Sequence, residues 1–320
     1  MKDLLNGYIQ HPPFSIQIEP TEGCNLGCSF CGIRGIKEKG TKPWNFMTLE
    51  TAKRIASQIA EKGWKSKIVF GMHGEPTLNP NFIEIVAIFR RYLPNAIISS
   101  YTNGYALNRN VKLVNELFEV GMNNLLVDCY NVDGDWVFVD KVKGVEIQQH
   151  GRGVELIPNK QCRRILLLPS INLKENQTAT HRLANHCGAA APLDKTFNNK
   201  RCTMPFREMS FRYNGWVSLC CDDFRGEYPI GNIHDMDIED IWNSPRFQAV
   251  RIKLFNYDRE GFRPCDGCTN ISMRVGLLPD PSGKDKDIMP KIINEDVKDV
   301  LAEMSNAKPL ATVYKRKWEK

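Results

Sequence analysis

The sequence predicts an α/β protein in which a series of parallel βα units is followed by a small α+β segment built around a β-hairpin. Three observations predict it. Strand-like apolar runs at 14–19, 67–72, 96–101 and 124–130 alternate with helical patterns. The later runs start 29 and 28 residues apart, about one βα repeat, whereas the first interval is 53 residues because a cysteine-bearing loop is inserted there. Further along, Asn214-Gly215 separates two alternating runs, 209–213 and 216–220, as a type I′ hairpin turn would.

The helices carry their own start and stop signals. Thr48 is an N-cap, Leu49, Ala52, Ile55, Ala56, Ile59 and Ala60 share one face, and Gly63 ends the helix. Asn79 is expected to cap a second helix with Pro80 at its first position and Phe82, Ile85, Val86 and Phe89 inward, ending before Pro94. A third is expected over 108–120. Between 131 and 161 the pattern is irregular, with a β-like piece at 145–149, and 165–169 reads as another buried strand. Ser244 and Pro245 open a later helix with Phe247, Val250 and Leu254 inward. Residues 277–283 have linker composition. Beyond them a helix with Val297, Val300, Leu301 and Met304 on one face is expected to pack back on the body, ahead of a basic tail at 314–320.

Composition narrows the function classes. The chain has 320 residues, 42% of them hydrophobic and 25% charged, as in ordinary globular proteins. Its net charge of +6 is spread out and gives no basic stripe, so nucleic acid is not an expected partner. No apolar run approaches the roughly 18 residues that span a bilayer, and the N-terminus has no signal-like apolar region. Eleven cysteines in uneven clusters fit a reducing compartment and metal ligation better than a disulfide framework, and the expected location is the cytoplasm.

Cys24, Cys28 and Cys31 lie on one short loop interrupted by Gly23, Gly27 and Gly32. On a helix the three would share a face as buried apolar groups, but the glycines favour a loop wrapped around a metal centre. No Cys or His follows before His73, so three local ligands leave one metal position open. This Cys-x3-Cys-x2-Cys triplet, with Phe30 directly before its last member, resembles the signature of the radical S-adenosylmethionine (SAM) superfamily. The resemblance implies a partial (β/α)6 TIM-like barrel and a [4Fe-4S] cluster held by the three thiolates, with SAM on its fourth iron. It also implies reductive cleavage of SAM to a 5'-deoxyadenosyl radical. His73-Gly74-Glu75-Pro76 is similar to the family's Gly-Gly-Glu-Pro loop, with His73 in place of the first glycine. Thr102-Asn103-Gly104 is similar to a turn of many relatives. Phe30, His73, Gly74, Glu75, Ser100, Thr102 and Asn103 are therefore the expected cofactor contacts. Tyr130, at the end of the fourth strand, and His181, Arg182, His186 and Cys187, in a polar loop, are candidates for substrate contact, and no general base is assigned.

Cys202, Cys220, Cys265 and Cys268, spaced by 18, 45 and 3 residues, form a second set brought together by the hairpin and the later helix. Four thiolates suit a structural zinc or a second cluster. Cys221 is the alternative to Cys220, since neighbours in a strand face opposite ways, and spacing favours Cys220. The arrangement resembles the Twitch domain, a shortened SPASM domain, which implies one auxiliary [4Fe-4S] cluster with all irons ligated and a role in electron transfer. No cysteine follows Cys268, so a third cluster is not expected.

The expected organisation is a barrel core over 1–200, an auxiliary domain over 201–275, and a linker, helix and tail over 276–320. The expected function is that of a radical SAM oxidoreductase. It would abstract hydrogen from a small sugar-, cyclitol- or nucleotide-like substrate, use the auxiliary cluster as electron acceptor and draw on a donor such as flavodoxin or ferredoxin. A peptide-modifying maturase is the alternative, weakened because only about a dozen residues precede the first strand, where such enzymes carry a leader-binding domain. A non-catalytic iron-sulfur carrier is a third reading, and it leaves the Gly74-Glu75-Pro76 loop unexplained.

Overall fold

The computed structural model describes residues 9, 11–28, 30–35, 44–128, 136–149, 163–168, 184–200, 202–270 and 295–306. Tyr130, His181, Arg182, the segment 277–283 and the tail 314–320 lie outside them. In chain order the strands are β1 (Ser15–Ile18), β2 (Thr21–Glu22), β3 (Asn45–Phe46), β4 (Lys67–Phe70), β5 (Ile98–Thr102), β6 (Asn124–Asp128), β7 (Glu146–Gln149), β8 (Arg164–Leu168), β9 (Glu208–Phe211), β10 (Trp216–Ser218) and β11 (Pro229–Asn232). The helices are α1 (Leu49–Glu61), α2 (Phe82–Tyr92), α3 (Tyr105–Arg109), α4 (Val111–Glu119), α5 (Val137–Lys141), α6 (Met204–Arg207), α7 (Ile238–Trp242), α8 (Pro245–Phe255) and α9 (Glu295–Asn306).

One sheet of order β11-β10-β9-β1-β4-β5-β6-β8-β7 organises the chain. Its parallel part holds the βα strands, and the β9–β10 hairpin joins it because β9 runs parallel to β1. Parallel strands need both faces covered. On one side Ala52, Ile55, Ala56 and Ile59 of α1 and Phe82, Ile85, Val86 and Phe89 of α2 are buried, and Phe70 meets Phe82 and Phe89 edge-on at 5.5 and 5.3 Å. Val297 of α9 is fully buried, and α9 packs on α8.

Three local expectations are corrected. Helix α2 begins at Phe82 because the Asn79 side chain is occupied elsewhere: its amide donates to the carbonyls of Pro20 and Met47 at 2.8 and 3.1 Å, and its Oδ1 accepts from the Asn81 N–H. The expected third helix is two, broken at Asn110, which turns extended and caps α4 through the Lys112 N–H. The hairpin turn is not type I′. Gly215 is left-handed at φ +84° but Asn214 is not, and the Gly215 N–H donates to Arg212 O while the Arg212 N–H donates to Trp216 O. That is a three-residue loop with a glycine bulge.

The far end of the hairpin sheet is fastened to α1. Arg54 donates to the carbonyls of Ile233 and His234, and Thr51 bonds His234 at 3.1 Å. Asp237 caps α7 by accepting from the Glu239 N–H at 2.9 Å and pairs with Lys62 at 3.0 Å. Burial works to raise its carboxyl, but the cap and Lys62 outweigh it and hold the group below the usual carboxylate range. A folded value below the unfolded one means that the stabilisation is present above about pH 4 and fades as pH falls through the folded value. Asp237→Ala should therefore lower the unfolding free energy by about 1 kcal/mol at pH 7 in urea titrations. The difference should shrink at pH 3, and an equal loss at both pH values would contradict this role.

Candidate active site

The loops that follow β1, β4 and β5 close on one another at the C-terminal edge of the sheet. Gly23 and Gly74 form a backbone bridge, and the Glu75 N–H donates to Gly23 O at 2.9 Å. A Cβ on Gly74 would lie 2.1 Å from Thr21 O, so this approach requires glycine. Glu75 then ties the second loop to the third. Its Oε1 accepts from Thr77 N–H, Thr77 Oγ1 and Thr102 Oγ1 at 3.0, 2.6 and 2.8 Å, and its Oε2 accepts from the Asn103 N–H at 2.7 Å. Burial pushes its carboxyl up, opposed by these bonds. Asn103 reaches back to the cysteine loop, donating to Asn25 Oδ1 at 2.8 Å and Cys24 Sγ at 3.6 Å.

Cys24, Cys28 and Cys31 thereby come to the wall of a cavity of about 680 Å³, together with Phe30, His73, Gly74, Glu75, Thr102 and Asn103. Ser100 is not brought to it: the side chain is buried in β5, and its hydroxyl donates to Tyr101 O. Burial raises the Cys24 thiol to about 12 and also raises Cys31. Thiols left protonated by burial are deprotonated by a metal, so the donor chemistry fits a thiolate-ligated centre.

His73 shows what the departure from glycine does. Its ring is fully buried, with Nδ1 2.8 Å from Glu19 Oε1 and Nε2 2.9 Å from Cys221 O, and it packs on Phe224 with centroids 4.4 Å apart. Glu19 also accepts from the Tyr213 N–H at 3.0 Å, and Arg212 pairs with Glu22 at 2.6 Å. Burial opposes the Arg212 charge, but Glu19, Glu22 and Asp223 outweigh it and raise the guanidinium above its usual value. His186 also meets Phe224, edge-on with centroids 4.6 Å apart, and places Nδ1 2.9 Å from Asp222 Oδ1. Burial opposes ionisation of Asp222, yet His186 and Asn270 hold it below the usual range. His186, Asp222 and Asn270 line the same cavity, as do Gln17, Asp128, Glu208 and Cys221.

The second set of thiols lies just behind that wall. Cys202, Cys220, Cys265 and Cys268 are buried, at 6–9% exposure, and Cys220 faces inward among them while Cys221 borders the cavity. Burial pushes Cys202 up to about 12. Arg259, also buried, donates to Cys268 O at 3.0 Å and sets a positive charge beside the thiols. Four buried thiols beside a buried guanidinium are a donor set that an iron-sulfur cluster fits.

Glu19, Glu22, Arg212, Asp222, Phe224 and Arg259 were not singled out by sequence. The legible signal was the acidic pair Asp222-Asp223 directly after two cysteines. His73→Ala removes one of the three partners of the buried Glu19 together with the ring contact on Phe224, and should destabilise the apoprotein by about 2 kcal/mol in urea titrations. A loss below about 0.5 kcal/mol would mean the ring carries no such link.

Residues 18–180 match the family model of the radical SAM superfamily, and residues 202–269 match SPASM, an iron-sulfur cluster-binding domain. The S-adenosyl-L-methionine-dependent 2-deoxy-scyllo-inosamine dehydrogenase of Niallia circulans is 26% identical over 261 residues, covering 81% of this chain and 94% of that protein. GTP 3',8-cyclase of Pectobacterium atrosepticum is 32% identical over 98 residues, covering 31% of this chain and 29% of that protein. The fold is similar to the crystal structure of BtrN in complex with AdoMet and 2-DOIA, with a TM-score of 0.65 and 22% identity over 85% of this chain and 98% of that one. Among the described residues no helix is long and apolar enough to cross a membrane. The first matched span carries the cysteine triplet and the second carries the four-cysteine set. The chain belongs to the radical SAM superfamily, as an enzyme that uses S-adenosylmethionine on a [4Fe-4S] cluster and carries an auxiliary iron-sulfur centre.

Proposed function

We propose that this enzyme dehydrogenates an alcohol carbon of a small polar metabolite, of the sugar, cyclitol or nucleotide kind. The observation that carries the reading is the single cavity: Cys24, Cys28 and Cys31 border it on one side, and Cys221, next in sequence to Cys220, borders it with Asp222 and Phe224. Its volume of about 680 Å³ lies within the range of small-molecule sites. The relative named as a 2-deoxy-scyllo-inosamine dehydrogenase supports a cyclitol-like substrate.

Cys24, Cys28 and Cys31 are the ligands of the SAM-binding cluster, and Phe30, the His73-Gly74-Glu75 backbone, Thr102 and Asn103 shape the SAM pocket. Cys202, Cys220, Cys265 and Cys268 are the ligands of the auxiliary cluster. The bound cofactors supply reductive cleavage of SAM, abstraction of a hydrogen atom from the substrate carbon and uptake of the electron that remains. The protein must then orient the substrate and accept the hydroxyl proton. Gln17, Asp128, Glu208 and Asn270 offer polar groups for orientation. In this reading His186 takes the proton, and its contact with Asp222 at 2.9 Å supports that role. The electron donor is a low-potential carrier such as flavodoxin or ferredoxin, and the location is the cytoplasm.

Anaerobic reconstitution should give about eight irons per chain. With reductant, SAM and 2-deoxy-scyllo-inosamine or a related cyclitol as probe, one 5'-deoxyadenosine should form per ketone. Cys24→Ala should abolish both products. His186→Ala should keep SAM cleavage but lower ketone formation by about 100-fold, measured by mass spectrometry of both products. Substrate-independent 5'-deoxyadenosine with no oxidised product from any alcohol probe would overturn the dehydrogenase reading.

A further inference from the structure

Cys187 lies outside both matched spans, yet it stands among the second set of thiols. Its side chain is 4% exposed, and its thiol lies within hydrogen-bonding reach of the sulfurs of Cys220 and Cys268. The backbone that puts it there is strained: His186 and Cys187 are consecutive left-handed residues, at φ +47° and +55°, a conformation disfavoured for residues with a side chain. Such a conformation persists only when the surroundings enforce it, and the surroundings here are the loop that carries Cys265 and Cys268. Asn185 donates to Gly267 O at 2.7 Å, and its Oδ1 accepts from the Thr269 N–H at 3.1 Å while its own N–H donates to Thr269 Oγ1 at 2.8 Å. The Asp194 N–H also donates to Gly267 O, and Arg263 donates to Cys187 O at 3.0 Å. These bonds clamp the two loops together on either side of the sulfur contact.

A four-cysteine cluster needs no fifth thiol, and a buried, inert cysteine would need no strained backbone. We infer that Cys187 is a fifth thiol of the auxiliary iron-sulfur site, able to take the coordination position of Cys220 or Cys268 when either is missing. In that exchange a Cys187–iron bond forms where the Cys220–iron or Cys268–iron bond is absent. The Cys187 thiol gives its proton to solvent, and no electron is transferred. Selectivity follows from contact, because Cys187 touches these two sulfurs and is assigned to no other position.

The inference rests on the reading of the second set as a cluster site, and the test separates the two. In full-length protein carrying Cys24→Ala, Cys28→Ala and Cys31→Ala, iron and sulfide are counted after anaerobic reconstitution, and about four irons are expected in this parent. Adding Cys220→Ala or Cys268→Ala should leave about four irons, whereas adding Cys202→Ala or Cys265→Ala should remove them. Combining Cys187→Ala with Cys220→Ala should lower the iron at least tenfold relative to Cys220→Ala alone. Iron lost from folded Cys220→Ala and Cys268→Ala as completely as from Cys202→Ala overturns the inference alone. Zinc in place of iron in the parent overturns it together with the cluster reading. If circular dichroism shows that those variants do not fold, Cys220→Ser and Cys268→Ser in the same parent, each with and without Cys187→Ala, decide. A reduced electron paramagnetic resonance spectrum that changes when Cys187→Ala is added supports the inference, and one that does not change overturns it.

Discussion

The parallel pairing of β1 on both of its edges is the constraint on which the site depends. Ile18 is in register with Phe70 of β4 on one side and with Phe211 of β9 on the other. Parallel strands in register release their chains at one level, so the cysteine loop, the His73 loop and the hairpin turn all start from the same line. Glu19, the residue after β1, is buried there and meets His73, the Tyr213 N–H and Arg212. A slip of one residue in β1 would turn Glu19 away and leave His73 and the Tyr213 N–H without that carboxylate in the interior.

Charge is handled differently at the two ends of the cavity. Around Glu19 and Glu22 the folded chain neutralises itself, because Arg212 lies between the two carboxylates with 3% exposure. Its cost of burial is offset by close opposite charges, an arrangement that tolerates no single deletion. The thiols have no such internal balance. Burial keeps Cys24 and Cys202 protonated, with values of about 12, and Arg259 is placed beside the second set. A protonated thiol costs little to bury, so Cys24 and Cys202 need no counter-charge until a metal binds. Loading then draws protons off and leaves negative charge that Arg259 faces.

How much was legible in the sequence follows from the range over which each signal acts. The βα repeats were legible because periodicity and caps are local: Thr48 caps α1 by accepting from the Thr51 N–H, and Ser244 caps α8 in the same manner. Boundaries failed where a side chain had a distant partner. Asn79 has the composition of a cap, but Pro20 and Met47 claim its amide. The Asn214-Gly215 turn was misread because the Gly215 carbonyl accepts from the Ile233 N–H of the next segment, a bond that no pattern within the hairpin announces. The two cysteine sets were visible from spacing. Cys187 belongs with the second set only through contacts made by a loop 15 residues upstream of Cys202, and the stretch before it lies outside the described residues.

The replacement of a motif glycine by His73, next to a glycine that cannot change, has a geometric explanation. At position 74 any Cβ would point at the carbonyls of Thr21 and Gly23, 2.1 and 2.5 Å away, and would part the two loops that shape the cofactor pocket. At position 73 the side chain leaves the loop on the other side, toward Glu19, Phe224 and the Cys221 carbonyl. A small residue there would lose the bond to Cys221 O and the ring contact with Phe224. The imidazole supplies one bond to each side and one ring contact. The segment that follows Cys220 is thus fixed relative to the Gly74-Glu75 loop by a side chain. His186 meets the same Phe224 ring edge-on, with centroids 4.6 Å apart. The departure from the family pattern therefore does not part the loops; it couples the Gly74-Glu75 loop to the Cys221–Phe224 wall of the same cavity.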